Sequence, residues 1–165
     1  MEFSSLSLIF SVLATIIALF AFFRSNNTKE QVIKEDHSSR PLQLQAYERL
    51  VLLCERIAMP NLISRVSRPD LSAREMQVFL IETIKQEYEY NASQQIYVTE
   101  KAWEAVRNLR DQNMLFINTI AKTLQPEASG RDLNRAIIEA MMSEEKAALH
   151  TYVASTLNEE AKKLM

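Results

Sequence analysis

Glycine occurs once in the 165-residue chain, at Gly130, and proline four times. A β-rich fold needs those residues in its tight turns, so their scarcity argues for helices. One glycine also leaves no room for a G-x-G-x-x-G fingerprint, a G-x-x-x-x-G-K-[ST] phosphate loop or a G-x-S-x-G elbow. Cys54 is the lone cysteine, so no internal disulfide can form, which fits a reducing compartment. Only two histidines are present, His37 in a linker and His150 among Ala147, Ala148 and Leu149. A metal site needs clustered ligands, and neither histidine has them, so no metal and no cofactor is expected. The formal charge of −2 gives no bulk attraction to nucleic acid.

What the chain does have is an uncharged run from Phe3 to Phe23. As a helix it would span about 31 Å, against about 30 Å of bilayer hydrocarbon. A cleaved signal peptide would want a basic start and an A-x-A site; Glu2 is the only charge before the run, and no such site follows it. Arg24, Lys29, Lys34 and Arg40 follow the run and no Lys or Arg precedes it. The positive-inside rule then predicts a single-pass protein of the inner (cytoplasmic) membrane, with its C-terminal domain in the cytoplasm.

Within that run, Ser4, Ser7, Ser11, Ala14, Ala18 and Ala21 alternate by three and four and continue through Ser25 and Thr28. This is the a/d spacing of a heptad carried by small side chains. In lipid, helices pair by close backbone approach and hydroxyl hydrogen bonds, so Ser7, Ser11, Ala14, Ala18 and Ala21 are the candidate interface. A homo-oligomer is the simplest occupant and another membrane protein the alternative.

The predicted fold is all-α: a transmembrane helix followed by an antiparallel bundle of about four helices. Residues 1–35 form the anchor and its extension, 36–41 a linker, and 42–165 the bundle. Leu44, Tyr47, Leu50, Val51, Cys54 and Ile57 repeat at three and four, a helix to about Met59 that Pro60 stops or kinks. Ser72 and Glu75 have capping-box spacing, and the helix they start should end near Asn91. Thr99 caps a further helix to about Leu124, with Trp103 beside its apolar stripe. Pro126 and Gly130 mark a break, and a last helical stretch runs from Asp132 to about Leu164, with Ser143-Glu144-Glu145 as its point of interruption.

Two polar features stand out. The arginine-rich stretch from Arg49 to Arg74 lies close to the anchor, so Arg65 and Arg68, with Arg24 and Lys29, are candidate lipid-headgroup contacts; helix solvation with i,i+4 acid partners is the plainer alternative. The segment Glu87 to Thr99 reads as a helix C-terminus, with Asn91 as a left-handed cap, then an extended piece Ile96 to Val98. Its Asn91, Gln94, Gln95 and Tyr97 either tie backbone ends together or meet a partner.

Gln45-Ala46-Tyr47-Glu48-Arg49-Leu50, Glu55-Arg56-Ile57 and above all Asn91 through Tyr97 with Trp103 resemble an uncharacterised family of small bacterial membrane-anchored proteins. The resemblance covers nearly the whole chain and implies the same layout of anchor plus helices, without an activity to transfer. A histidine commonly stands in that family where this chain has Tyr90, so no metal role is carried onto that position. The expected function is a membrane-anchored interaction or scaffold protein. The alternatives are an accessory subunit of a larger membrane complex, and an enzyme or small-ligand binder with an unrecognised pocket. The bilayer is the one partner implied directly, and no nucleic acid is.

Overall fold

A computed structural model of the chain describes residues 39–68, 70–142 and 147–165. Helix α1 (Arg40–Ile57) begins with Pro41 in its first turn, where a missing N–H costs nothing. It buries Ala46, Tyr47, Leu50, Leu53, Cys54 and Ile57; of the expected stripe, Leu44 and Val51 stay only half-buried, and Ala46 and Leu53 take core places instead. Ala58 then turns extended, with ψ 129°, and α2 (Met59–Val66) starts with Pro60 in its own first turn. Proline cannot donate back to Arg56, so the carbonyls at the end of α1 lose backbone partners. Side chains replace them: Asn61 donates to Glu55 O (3.0 Å), Arg65 to Arg56 O (3.1 Å) and Asn113 to Ile57 O (2.9 Å).

Helix α3 (Ala73–Tyr90) opens on the capping box of Ser72 and Glu75. A 3₁₀ turn (Ala92–Ile96) follows, then α4 (Glu100–Ala121), whose N-cap Thr99 accepts from the Ala102 amide. Helix α5 (Gly130–Met141) opens on a second capping box, Ser129 with Asp132, and α6 (Ala147–Lys162) follows it. The two boxes stand side by side: Ala73 N donates to Ala128 O (2.8 Å) and Gly130 N to Leu71 O (2.7 Å), a single antiparallel bridge between Ser72 and Ser129.

α1 packs on α6, α3 on both α4 and α5, and α4 on α6. The core they enclose is aliphatic, with Leu50, Leu80, Ile84, Ile117, Leu133 and Leu157 fully buried. The protein is all-α, with six α-helices and no strand among the described residues. That corrects the expectation of about four. Met59–Val66 is a helix of its own because Ala58 breaks it from α1, and the last stretch divides into α5 and α6. No helix among the described residues is long and apolar enough to cross a membrane; the predicted span, Phe3 to Phe23, lies outside them.

A candidate arginine groove between α1 and α3

Arg49, Leu52 and Arg56 follow one another at three and four, which puts them on one face of α1. That face meets Gln86, Glu87 and Tyr90 on α3, and together with Leu53 and Asn91 these side chains line a groove of about 430 Å³. Glu87, only 13% exposed, is its central charge. One carboxylate oxygen, Oε1, lies 2.7 Å from Arg56 Nη2 and 3.0 Å from Arg65 Nη1. A half-sequestered carboxylate between two guanidinium groups is worth more than a solvated surface pair, because screening by water is reduced.

Asn91 closes the end of the groove. Its Nδ2 donates to the Glu87 carbonyl (2.9 Å), satisfying an orphan acceptor at the end of α3, and its Oδ1 accepts a long bond from Arg49 Nε (3.4 Å). The Arg49 guanidinium also lies over the Tyr90 ring, 5.3 Å from its centroid. Arg49 therefore stands at the C-terminal, partially negative end of α3, where a cation is favoured. Tyr90 and Leu52 remain 74% and 57% exposed, two large apolar side chains beside the arginines.

The polar segment after α3 differs from its expected form. Asn91 has φ −104°, so it is no left-handed cap. The expected extended piece Ile96 to Val98 is preceded and partly replaced by the 3₁₀ turn, held by Gln94 N to Asn91 O (3.0 Å) and Tyr97 N to Gln94 O (3.0 Å). Gln94 is buried, Gln95 exposed and Tyr97 half-buried, and of the four residues only Asn91 reaches the groove. Arg65 bonds to Glu87 and to the end of α1, while Arg68 is exposed with its guanidinium 5.4 Å from the Phe79 ring centroid. Arg24, Lys29 and the stripe Ser7, Ser11, Ala14, Ala18 and Ala21 lie outside the described residues.

The remaining candidates stay apart. His150 Nε2 faces Glu55 Oε1 at 3.5 Å in a separate cleft of about 280 Å³, so Glu87, Tyr97 and His150 do not converge on one pocket. Among the described residues no three His, Cys, Asp or Glu side chains gather as a metal site. Cys54 is fully buried, and burial pushes its thiol up to about 12. Trp103 is half-buried against Tyr88, ring centroids 5.1 Å apart, rather than deep in the core. The sequence does not reveal the partner of the arginines: i,i+4 acids are the natural choice there, whereas Glu87 is brought from α3. The spacing of Arg49, Leu52 and Arg56 is the one local signal of a shared face.

No curated protein and no solved structure matches the chain. A family model does, over residues 3–164, so the match takes in the uncharged run, the arginine groove and every helix described above. The chain belongs to the family of unknown function DUF7935.

Proposed function

We propose that this chain is a small bacterial single-span membrane protein that holds a helical binding module at the cytoplasmic face of the inner membrane and self-associates through its span. The observation that carries the reading is the extent of the family match, which joins the uncharged run and the helical unit as one family unit. The run from Phe3 to Phe23 has the length of a bilayer crossing, and the basic residues that follow it favour a cytoplasmic C-terminus. The small-residue stripe Ser7, Ser11, Ala14, Ala18 and Ala21 supports close pairing of two spans. The groove between α1 and α3, with its charged floor and exposed Leu52 and Tyr90, is the module's binding face.

The test is extraction and association of the full chain. It should stay with the membrane through an alkaline carbonate wash, and a reporter after Met165 that works only outside the cytoplasm should stay silent. Ala14→Leu or Ala18→Leu should abolish pairing in a membrane dimerisation assay, and Leu13→Ala should not. Release by carbonate would overturn the tether. A stoichiometric foreign partner after gentle detergent extraction, with no self-pairing, would replace the self-association by an accessory-subunit role.

A further inference from the structure

We propose that the groove between α1 and α3 binds a phosphate monoester, with Arg49 and Arg56 holding the oxyanion and Tyr90 and Leu52 against the body of the molecule that bears it. The inference rests on the reading of this groove as the binding face and is independent of the membrane tether.

Charge selects the ligand class. Arg49 and Arg56 line the groove with Glu87, its one lining carboxylate, and Arg65 reaches that carboxylate from α2, so three positive charges stand against one negative. Two positive charges are left over. A phosphate monoester carries about −1.5 to −2 at neutral pH and matches them, whereas a carboxylate leaves one unneutralised. Guanidinium groups bind such oxyanions through paired N–H donors, which a point-charge lysine does not offer.

Free donors remain for that role. Glu87 engages Nη2 of Arg56, one nitrogen of a group that carries five N–H bonds. Arg49 makes no ion pair among the described residues, and its one hydrogen bond there uses Nε, toward Asn91. Both Nη groups of Arg49 are therefore available as a fork.

The arginines are also held before any ligand arrives. Arg56 is fixed by Glu87, and Arg49 by Asn91 and the Tyr90 ring. Long side chains that are already ordered lose less entropy on binding, so less of the interaction is given up. Arg65 adds charge but no donor to the ligand, since one terminal nitrogen pairs with Glu87 and the other caps the Arg56 carbonyl, tying α2 to the end of α1.

The groove's volume of about 430 Å³ falls within the range of about 300–1,000 Å³ that is usual for small-molecule sites. A bare phosphate would occupy only a fraction of it. The exposed ring of Tyr90 and the exposed Leu52 supply an apolar flank for the rest of an ester, whether a lipid or a soluble one.

Calorimetry of the full chain in neutral detergent micelles tests this, with inorganic phosphate, phenyl phosphate and dihexanoyl phosphatidic acid as probes. One saturable site is expected for both esters, each bound tighter than inorganic phosphate. Arg49→Gln and Arg56→Gln should each weaken the esters at least tenfold. Arg107→Gln, which removes an exposed arginine paired with Glu104 on α4, should change nothing. Tyr90→Ala should weaken phenyl phosphate several-fold and inorganic phosphate little; this ring is largely exposed, so the variant folds even if Arg56→Gln does not. Tighter phosphatidic acid identifies a lipid source and tighter phenyl phosphate a soluble one, and both uphold the site. No saturable binding of either ester, or wild-type binding by Arg49→Gln, or an equal loss in Arg107→Gln, would overturn it. Such a failure would leave carbonate extraction and span pairing untouched.

Discussion

Gly130 and Leu71 are in direct backbone contact: the Gly130 amide donates to the Leu71 carbonyl at 2.7 Å, and a Cβ on Gly130 would stand 3.0 Å from that same oxygen. The chain's one glycine thus sits where two helix N-termini are clamped together. The added methyl would also press on Met76 Cβ at 3.1 Å and on the Arg68 carbonyl at 3.2 Å, so rigid backbone blocks it on two sides. Overpacking of this kind costs about 1–3 kcal/mol, against up to about 1 kcal/mol gained from alanine's helix preference. Gly130→Ala should therefore lower the melting temperature by several degrees. Thermal denaturation followed by circular dichroism checks it, and an unchanged or higher midpoint would refute the clamp.

The two capping boxes beside that contact should make the fold acid-sensitive. The Glu75 carboxyl is held below its ordinary value by the Ser72 hydroxyl first and the Ser72 amide second, and Asp132 likewise by Ser129. A depressed folded pKa means stability that is present above the unfolded value and lost as pH falls through the folded one. The melting temperature should drop as pH is lowered below the usual carboxylate range, near pH 4. Ser72→Ala and Ser129→Ala remove the larger cause in each box, so both should melt lower at neutral pH and show a shallower acid-side fall. Parallel pH curves for variant and wild type would exclude the boxes as the source.

A third linkage joins α1, α4 and α6. Tyr47 donates its hydroxyl to Glu160 Oε2 (2.8 Å) and accepts from the Thr99 amide (3.2 Å), while the Thr99 hydroxyl donates to the same Glu160 oxygen. Tyr47→Phe keeps the ring's packing but leaves the Thr99 amide without its acceptor and Glu160 with one donor fewer. Losing these two part-buried hydrogen bonds together costs about 1–3 kcal/mol. Urea denaturation should show that loss at constant slope, since the surface buried is unchanged. A midpoint equal to wild type would mean water replaces the hydroxyl freely.

These relationships differ in how visible they are in the sequence. Ser72 with Glu75 and Thr99 before α4 are legible because a cap is a contact across three residues. Ser129 with Asp132 has the same spacing, yet Gly130 suggests a break there; the glycine is the first residue of α5, chosen for close approach rather than for a turn. Two segments, Pro69-Asp70-Leu71-Ser72-Ala73-Arg74-Glu75 and Pro126-Glu127-Ala128-Ser129-Gly130-Arg131-Asp132, follow one pattern, and the structure bridges them. An extended piece is expected at Ile96 to Val98, but Ile96 is 72% exposed and two short backbone bonds decide for the 3₁₀ turn. The groove is the least legible feature. Arg56 and Glu87 meet only because α1 packs beside the end of α3, and no local pattern encodes that.

Cys54 offers the last test, one of burial rather than of chemistry. Its side chain is fully buried on the core face of α1, and burial, then the charge of neighbouring Glu55, pushes the thiol up to about 12. The thiolate is the reactive form, so at neutral pH the folded protein should resist a thiol reagent such as 5,5′-dithiobis(2-nitrobenzoate) and react fully once unfolded in guanidinium. The sign of the linkage follows from the same shift. A thiol whose folded pKa lies above its unfolded value of about 8.5 favours the native state less and less as pH climbs past that value. The melting temperature should fall on the alkaline side, and Cys54→Ala should flatten that part of the curve, although it also leaves a small cavity and melts lower at neutral pH. Tyr47, raised chiefly by burial, contributes the same sign above about pH 10, so Tyr47→Phe separates the two. Rapid labelling of the folded chain at neutral pH would show that α1 opens locally from the core, and the packing described for its buried face would then be wrong.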